Sequence, residues 1–443
     1  MLSGIAKIYY RLDGHTREVV KGSASALVIR LFGAILSFAL SVVLGRMLGA
    51  NGVGLYFLAF SAVTIAAVIG RVGLDNALLR FTAASVSSDD WVAVKGLYLK
   101  SIRFTLIASS FMAILVAVFA PWISSVLFDD PNLSALLRLM ALAIVPTALF
   151  TIIAKMLLGL KRTGDGIAIL SVCAPALCLV GAIVLVPTWG VEGAAIAYAV
   201  SALLTGFIAW WKWHAALPQT AEVEGYFPSE KLLQSSVPLF WVALSQLVIM
   251  QSSTVILGIW STIEDVGIYG AASRIVVLLS FLCLAVTSIA SPKFSALYQK
   301  GDMQALNTLA RSSSKLLFLA ASPVLAILFF VPDKVMAIFG PEFVSGAMVI
   351  FILAAGQLVN IITGPAGNLL MMCGHERLVK NTLVISAFLC VFISLLLIPE
   401  MGVIGAAIAN AVTVAIENLI LATLVWRKLR IVTIPIPFVR AKQ

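Results

Sequence analysis

The sequence predicts an all-α integral membrane protein, with twelve transmembrane helices in two parallel six-helix lobes. Three observations predict it. Charge is scarce, apolar runs of spanning length follow one another along the chain, and the second half repeats motifs of the first.

The scarcity of charge selects the solvent. Of 443 residues, 61% are hydrophobic and 11% charged, with mean hydropathy +1.07. Soluble domains carry about 25% charged and about 45–50% apolar residues. A soluble core of this length cannot hide so much apolar surface, and disorder requires the opposite composition. Lipid is the solvent that tolerates such a chain.

The apolar runs set the number of crossings. Twelve reach spanning length, at about 23–44, 53–70, 103–127, 135–158, 166–187, 190–211, 233–259, 266–290, 314–331, 343–371, 379–398 and 402–426. The first is too long for the apolar core of a signal peptide and reads as a retained span. Turn-rich connectors separate most of them, among them Gly49-Ala50-Asn51-Gly52, Asp129-Asp130-Pro131-Asn132, Pro187-Thr188-Trp189-Gly190 and Pro399-Glu400-Met401-Gly402. Helices satisfy their own backbone polar groups in lipid. A barrel would instead show alternating strands of about ten residues.

The basic residues set the orientation. With the N-terminus in the cytoplasm, 24 of the 30 Lys+Arg fall in cytoplasmic segments or at their helix mouths. Three, Arg46, Arg138 and Lys334, fall on the opposite side. The positive-inside bias therefore predicts both termini in the cytoplasm. It also accounts for the net charge of +10, which removes the reason to expect nucleic acid as a partner. The predicted organisation is an N-terminal cytoplasmic segment 1–22, a first lobe 23–211, a cytoplasmic linker 212–232, a second lobe 233–426 and a cytoplasmic tail 427–443. The basic loop 71–102 suits anionic lipid headgroups, or is simply a solvated positive-inside loop.

The duplication sets the symmetry. Leu44-Gly45 and Val53-Gly54-Leu55-Tyr56 recur as Leu257-Gly258 and Val266-Gly267-Ile268-Tyr269, 213 residues on. Pro187-x-x-Gly190-Val191-x-Gly193-Ala194-Ala195-Ile196-Ala197 recurs at Pro399 with an offset of 212. Six spans per half give both halves the same orientation. The repeat is then parallel, about an axis along the membrane normal, and encloses a midplane cavity suited to alternating access. A passive helical scaffold is the other reading.

No HExxH, phosphate-cradling GxxxxGK[ST] loop or GxSxG elbow occurs, and the five cysteines form no CxxC pair. No metal, cofactor or covalent chemistry is expected. Interest falls on charges within spans, which are expensive and usually face a cavity. Arg30 in span 1 heads a stripe with Ala34, Ser37 and Ser41 on one helical face. Arg274 lies in span 8 beside Ser273. Two guanidiniums in one cavity suit a phosphate or pyrophosphate. Lys155, near the end of span 4, reads as snorkelling. Glu417 follows Asn410 and Thr413 on one face of span 12. It is read either as an H⁺- or Na⁺-coupling acid or as polar glue between helices. Gln357, Asn360 and Asn368 share a face of span 10, which Gly364-Pro365 interrupts; these amides suit sugar hydroxyls or helix–helix contacts.

Leu44-Gly45-Arg46-Met47-Leu48-Gly49-Ala50, Gly52-Val53-Gly54-Leu55-Tyr56 and Gly73-Leu74-Asp75-Asn76-Ala77-Leu78-Leu79-Arg80 resemble the N-terminal signature of bacterial polysaccharide-biosynthesis flippases. The Gly190-Val191 element and its twin at Gly402 resemble the turns between the last two spans of each half. Such a resemblance covers nearly the whole chain. It points to the superfamily of O-antigen flippases, the lipid II flippase and multidrug extruders. It implies outward movement of a polyprenyl-pyrophosphate-linked oligosaccharide across the bacterial inner membrane, with membrane lipids, a polysaccharide polymerase and glycosyltransferases as partners. It also implies cavity-facing arginines on the first and eighth helices, matched here by Arg30 and Arg274. The acid that drug extruders carry on the first helix is missing here. A cation-coupled drug antiporter and a non-transporting scaffold for polysaccharide enzymes are the alternatives.

Overall fold

The computed structural model describes residues 14–217 and 223–433, with side chains from Ser25 onward. Lys7, Arg11, Arg440 and Lys442 lie outside the described residues, as do most of the predicted N-terminal segment and tail and part of the linker. Every regular element among the described residues is helical. The α-helices of the first half are α1 (Gly14–Gly70), α2 (Leu74–Ser87), α3 (Trp91–Trp122), α4 (Asn132–Ala141), α5 (Ile144–Gly159), α6 (Thr163–Ala168) and α7 (Ala174–Ala216). The second half holds α8 (Ser229–Trp260), α9 (Ile263–Gln299), α10 (Met303–Phe330), α11 (Pro332–Met336), α12 (Ala347–Thr363), α13 (Ala366–Met372) and α14 (Glu376–Leu429).

Nine helical segments among the described residues are long and apolar enough to cross a membrane. Side chains such as Phe111, Val118, Phe207 and Phe388 stand exposed along them, as lipid-facing surfaces require. The protein is a multi-pass membrane protein. The difference from twelve predicted runs has a local cause. Three of the nine segments contain one glycine with non-helical backbone angles: Gly49 in α1, Gly190 in α7 and Gly402 in α14.

Each of these helices folds back on itself. A Cβ on Gly181 would stand 3.0 Å from the Ala197 Cβ. Sixteen residues of straight helix would separate them by about 24 Å. Likewise Gly405 meets the backbone of Leu397 and Ile398 across the Gly402 turn. In α1, Ser37 and Phe60 line one small cavity although they are 23 residues apart. Glycine suits all three turns because φ is positive, at 67°, 54° and 53°.

The repeat predicted from sequence is present in the backbone. Gly190 has φ 54° and ψ −132°, and Gly402 has φ 53° and ψ −131°. It also governs where the halves meet. A Cβ on Gly54 would collide with the Ile263 carbonyl oxygen, and one on Gly267 with the Ala50 carbonyl oxygen. Those are the same contact read from each half, with an offset of 213. A second reciprocal pair sets Gly45 against Phe339 at 3.1 Å and Gly258 against Phe128 at 2.9 Å. The halves thus pack about a pseudo-two-fold axis between α1 and α9, whose side chains join one continuous buried core.

Candidate functional site

Arg274 sits in the fourth turn of α9, past the Gly267 contact that brings this helix against α1. Its guanidinium therefore reaches into the first half. The carbon centre lies 5.3 Å from the ring centre of Phe57 and 5.2 Å from that of Phe60. Phe60 stacks in turn on Tyr56 and meets Tyr198 edge-on at 5.5 Å. The Tyr56 hydroxyl is 4.0 Å from the Cys178 thiol. Together with Ser37, Ser41 and Leu170 these groups line a cavity of about 200 Å³. Leu170 belongs to a π-helical turn, Ile169–Cys173, that leads into α7. Gly33 of α1 presses against Ser171 of that turn, so the wall is tightly packed.

The electrostatics of this cavity are one-sided. Ion pairs among the described residues join Arg71 to Asp75 and Asp165 to Arg162 and Lys212. None reaches Arg274. A partly buried cation without a carboxylate is costly. The two rings offset part of that, at about 0.5–2 kcal/mol per cation–aromatic contact. The guanidinium lines a cavity too small for a counter-helix but large enough for an anionic group, to which it can offer a planar fork of donors.

The predicted residues are distributed as follows. Ser37 and Arg274 line this cavity. Arg30 shares the face of α1 that carries Ala34, Ser37 and Ser41, but lies outside the lining, partly buried. It falls within electrostatic reach of Lys155, which Asp75 and Arg71 also reach. The Lys155 amine makes a long contact of 3.5 Å to the Asn76 side-chain oxygen. Gln357 and Asn360 are on α12 in the second half, where the Asn360 amide donates to Gln357 at 3.0 Å. Asn368 accepts from Ser291 at 2.7 Å. Thr413 is buried, its hydroxyl given to the Ala409 carbonyl of its own helix at 2.7 Å. Asn410 and Glu417 share α14 with it, partly buried and outside the Arg274 cavity.

A second cavity, about 370 Å³, lies at the α1 turn, lined by Gly45, Arg46, Gly49, Gly340 and Glu342. Arg46 donates to the Ile338 carbonyl at 2.8 Å. The Glu342 carboxylate accepts from the Ala50 amide at 2.8 Å, capping the arm that follows Gly49. These contacts clasp the halves. Sequence reasoning assigned Arg46 no role and passed over Phe57, Phe60, Tyr198 and Cys178. Arg46 stands inside the Leu44–Ala50 motif, and Phe57 and Phe60 follow the repeated Tyr56, whereas Tyr198 carried no signal. Among the described residues no three His, Cys, Asp or Glu side chains gather as a metal site.

Long apolar helices that fold back at glycines, packed about a pseudo-two-fold around a cationic cavity, define a membrane protein of the flippase and transporter class. The chain belongs to the polysaccharide biosynthesis protein family, which matches residues 19–298. It is 24% identical to the probable low-salt glycan biosynthesis flippase Agl15 of Haloferax volcanii, over 91% of this chain and 82% of that protein. It is 22% identical to stage V sporulation protein B of Bacillus subtilis, over 93% and 84%. In fold it is similar to an inward-facing multidrug resistance MATE family transporter, with TM-score 0.76, 14% identity and 92% and 98% coverage. It is likewise similar to the lipid II flippase MurJ in an inward closed conformation, with TM-score 0.73, 14% identity and 90% and 86% coverage.

Proposed function

We propose that this chain is a flippase that moves a polyprenyl-pyrophosphate-linked oligosaccharide across the bacterial inner membrane by alternating access. The nine long segments, three of them folded back, then make twelve crossings in two six-helix lobes, with both termini in the cytoplasm. Family membership and the relative described as a glycan biosynthesis flippase support this reading. The observation that carries it is Arg274, a cation without a carboxylate, lining a cavity where the halves meet.

In this reading Arg274 holds the pyrophosphate while the polyprenyl tail stays in lipid. Arg30, two turns along the same α1 face as Ser37, meets the headgroup before it reaches Arg274. Ser37, Gln357 and Asn360 supply neutral hydrogen bonds to sugar hydroxyls. Glu417, with Asn410 and Thr413, couples transport to an ion. No bond is made or broken, so the protein is a transporter and not an enzyme. Polymerase and glycosyltransferases act before or after it.

The test is headgroup accessibility in proteoliposomes holding lipid-linked oligosaccharide. Arg274→Ala removes charge-assisted hydrogen bonds and should slow translocation about 10- to 100-fold. Wild-type rates for both Arg30→Ala and Arg274→Ala would overturn the site.

A further inference from the structure

Three cations crowd one place outside the cavity, where the segment leading into α8 crosses α2 and the start of α3. The strap is fixed: the Tyr226 amide donates to the Val92 carbonyl at 3.1 Å, and Gly96 leaves room for the backbone of Tyr226 and Phe227. Lys100 donates to the Phe227 carbonyl at 2.6 Å and to the Ser229 hydroxyl at 2.9 Å, and lies 5.4 Å from the Tyr226 ring centre. Arg80 donates to the Ser235 hydroxyl at 2.8 Å and sits 4.9 Å over the Phe81 ring. Lys231 approaches that same ring at 5.9 Å and Phe227 at 6.0 Å.

Two like charges near one ring repel each other, and a bound anion beside them would relieve it. None of the described ion pairs involves Arg80, Lys100 or Lys231. One acid beside them, Glu230, accepts from Gln234 at 3.0 Å, and Glu224 precedes Tyr226 on the same strap. Arg80 and Lys231 are exposed, so their remaining donors are open. Just along α3 and α8 from these charges, Leu99, Leu233 and Val237 stand exposed and begin the lipid-facing surfaces. A ligand for this place needs an anionic head and an apolar tail in that order.

We propose that Arg80, Lys100 and Lys231 form a binding site for the headgroup phosphate of an anionic phospholipid. The site bridges the two halves on the basic side, the cytoplasmic one under the topology proposed above. It is separate from the Arg274 cavity and does not depend on what that cavity carries. A bound lipid would neutralise the cations that the strap holds together and so stiffen the junction of the halves on this side. Basic pockets between helices on this side of a membrane suit such headgroups.

The experiment is native mass spectrometry of the full chain with phosphatidylglycerol and phosphatidylcholine of identical acyl chains. Wild type should retain one phosphatidylglycerol in preference to phosphatidylcholine, and high salt should weaken the preference. Arg80→Gln and Lys231→Gln, both at exposed side chains, should each lower phosphatidylglycerol retention about fivefold. Lys300→Gln, a cation in another turn of the same side, should not. Equal retention of the two lipids by wild type would overturn the proposal without any variant. So would a double Arg80→Gln, Lys231→Gln variant that keeps phosphatidylglycerol as wild type does, an outcome that would leave the patch to an acidic protein partner. Translocation assays do not enter, so failure here is distinct from failure of the flippase reading.

Discussion

The guanidinium of Arg274 lies 5.2 Å from the ring centre of Phe60, joining a cation of the second half to an aromatic of the first. The contact keeps a charge tolerable inside an apolar bundle while leaving the planar fork available to a ligand. Lysine has no planar fork and cannot lie flat on a ring, so it keeps at most the charge–ring attraction. Arg274→Lys should therefore slow translocation about tenfold, and Phe60→Leu about three- to tenfold. Because both weaken one shared contact, the losses should be less than additive in the double variant. Headgroup accessibility in proteoliposomes measures all three, and fully additive losses would mean that the ring does not act through Arg274.

The reciprocal contacts of Gly54 with Ile263 and Gly267 with Ala50 make a second, quantitative claim. A methyl group at either position meets a backbone carbonyl, which cannot rotate away as a side chain can. Gly54→Ala and Gly267→Ala should each destabilise by about 1–3 kcal/mol through overpacking, and by similar amounts. Gly164→Ala, with its nearest neighbour the Ile29 side chain at 4.0 Å, serves as the control. It should be neutral or stabilising, since alanine favours a helix. Thermal unfolding in detergent reads the difference, and one sensitive glycine beside one silent one would break the symmetry argument.

These glycines also show what the sequence could and could not reveal. Helical content and membrane residence followed from composition, because few charges and long apolar runs leave one solvent and one backbone solution. The three turn glycines, Gly49, Gly190 and Gly402, all lie inside connectors read from sequence. Hydropathy alone does not say that one residue suffices to turn each helix. At the site, Arg274 and Ser37 were visible because a polar residue in an apolar run stands out. Phe57 and Phe60 were not, since an aromatic in such a run looks like ordinary core. Gln357 and Asn360 were legible as one helical face, and they do bond each other. Sequence spacing does not tell which cavity a face addresses, and neither amide lines that of Arg274.

Glu342 joins the halves at the α1 turn through one hydrogen bond to the Ala50 amide, which starts a helical arm and has no partner within it. Glu342→Ala removes that cap and should cost about 0.5–2 kcal/mol. Glu342→Gln keeps an acceptor oxygen but loses the charge facing a helix N-terminus, worth about 0.3–1 kcal/mol. The expected order of thermal midpoints is wild type, then Gln, then Ala. Equal midpoints for Gln and Ala would mean that the carboxylate acts by charge alone and not as a cap.

The turns at Gly190 and Gly402 can be tested for conformation apart from space. Nothing lies within 4 Å of a Cβ built on Gly190, and at Gly402 the nearest atom is the Ser261 hydroxyl at 3.4 Å. Any loss on substitution must therefore come from the backbone. Their ψ values of −132° and −131° are far from the left-handed helical region near +47° that asparagine tolerates. Gly190→Ala and Gly402→Ala should each destabilise by about 1–3 kcal/mol, and asparagine should rescue neither. Because the two angles match so closely, the two losses should match as well. Yield of folded protein and the thermal midpoint are the measurements. A Gly190→Ala protein with the wild-type midpoint would show that the helix can reverse direction here without the positive φ that glycine supplies.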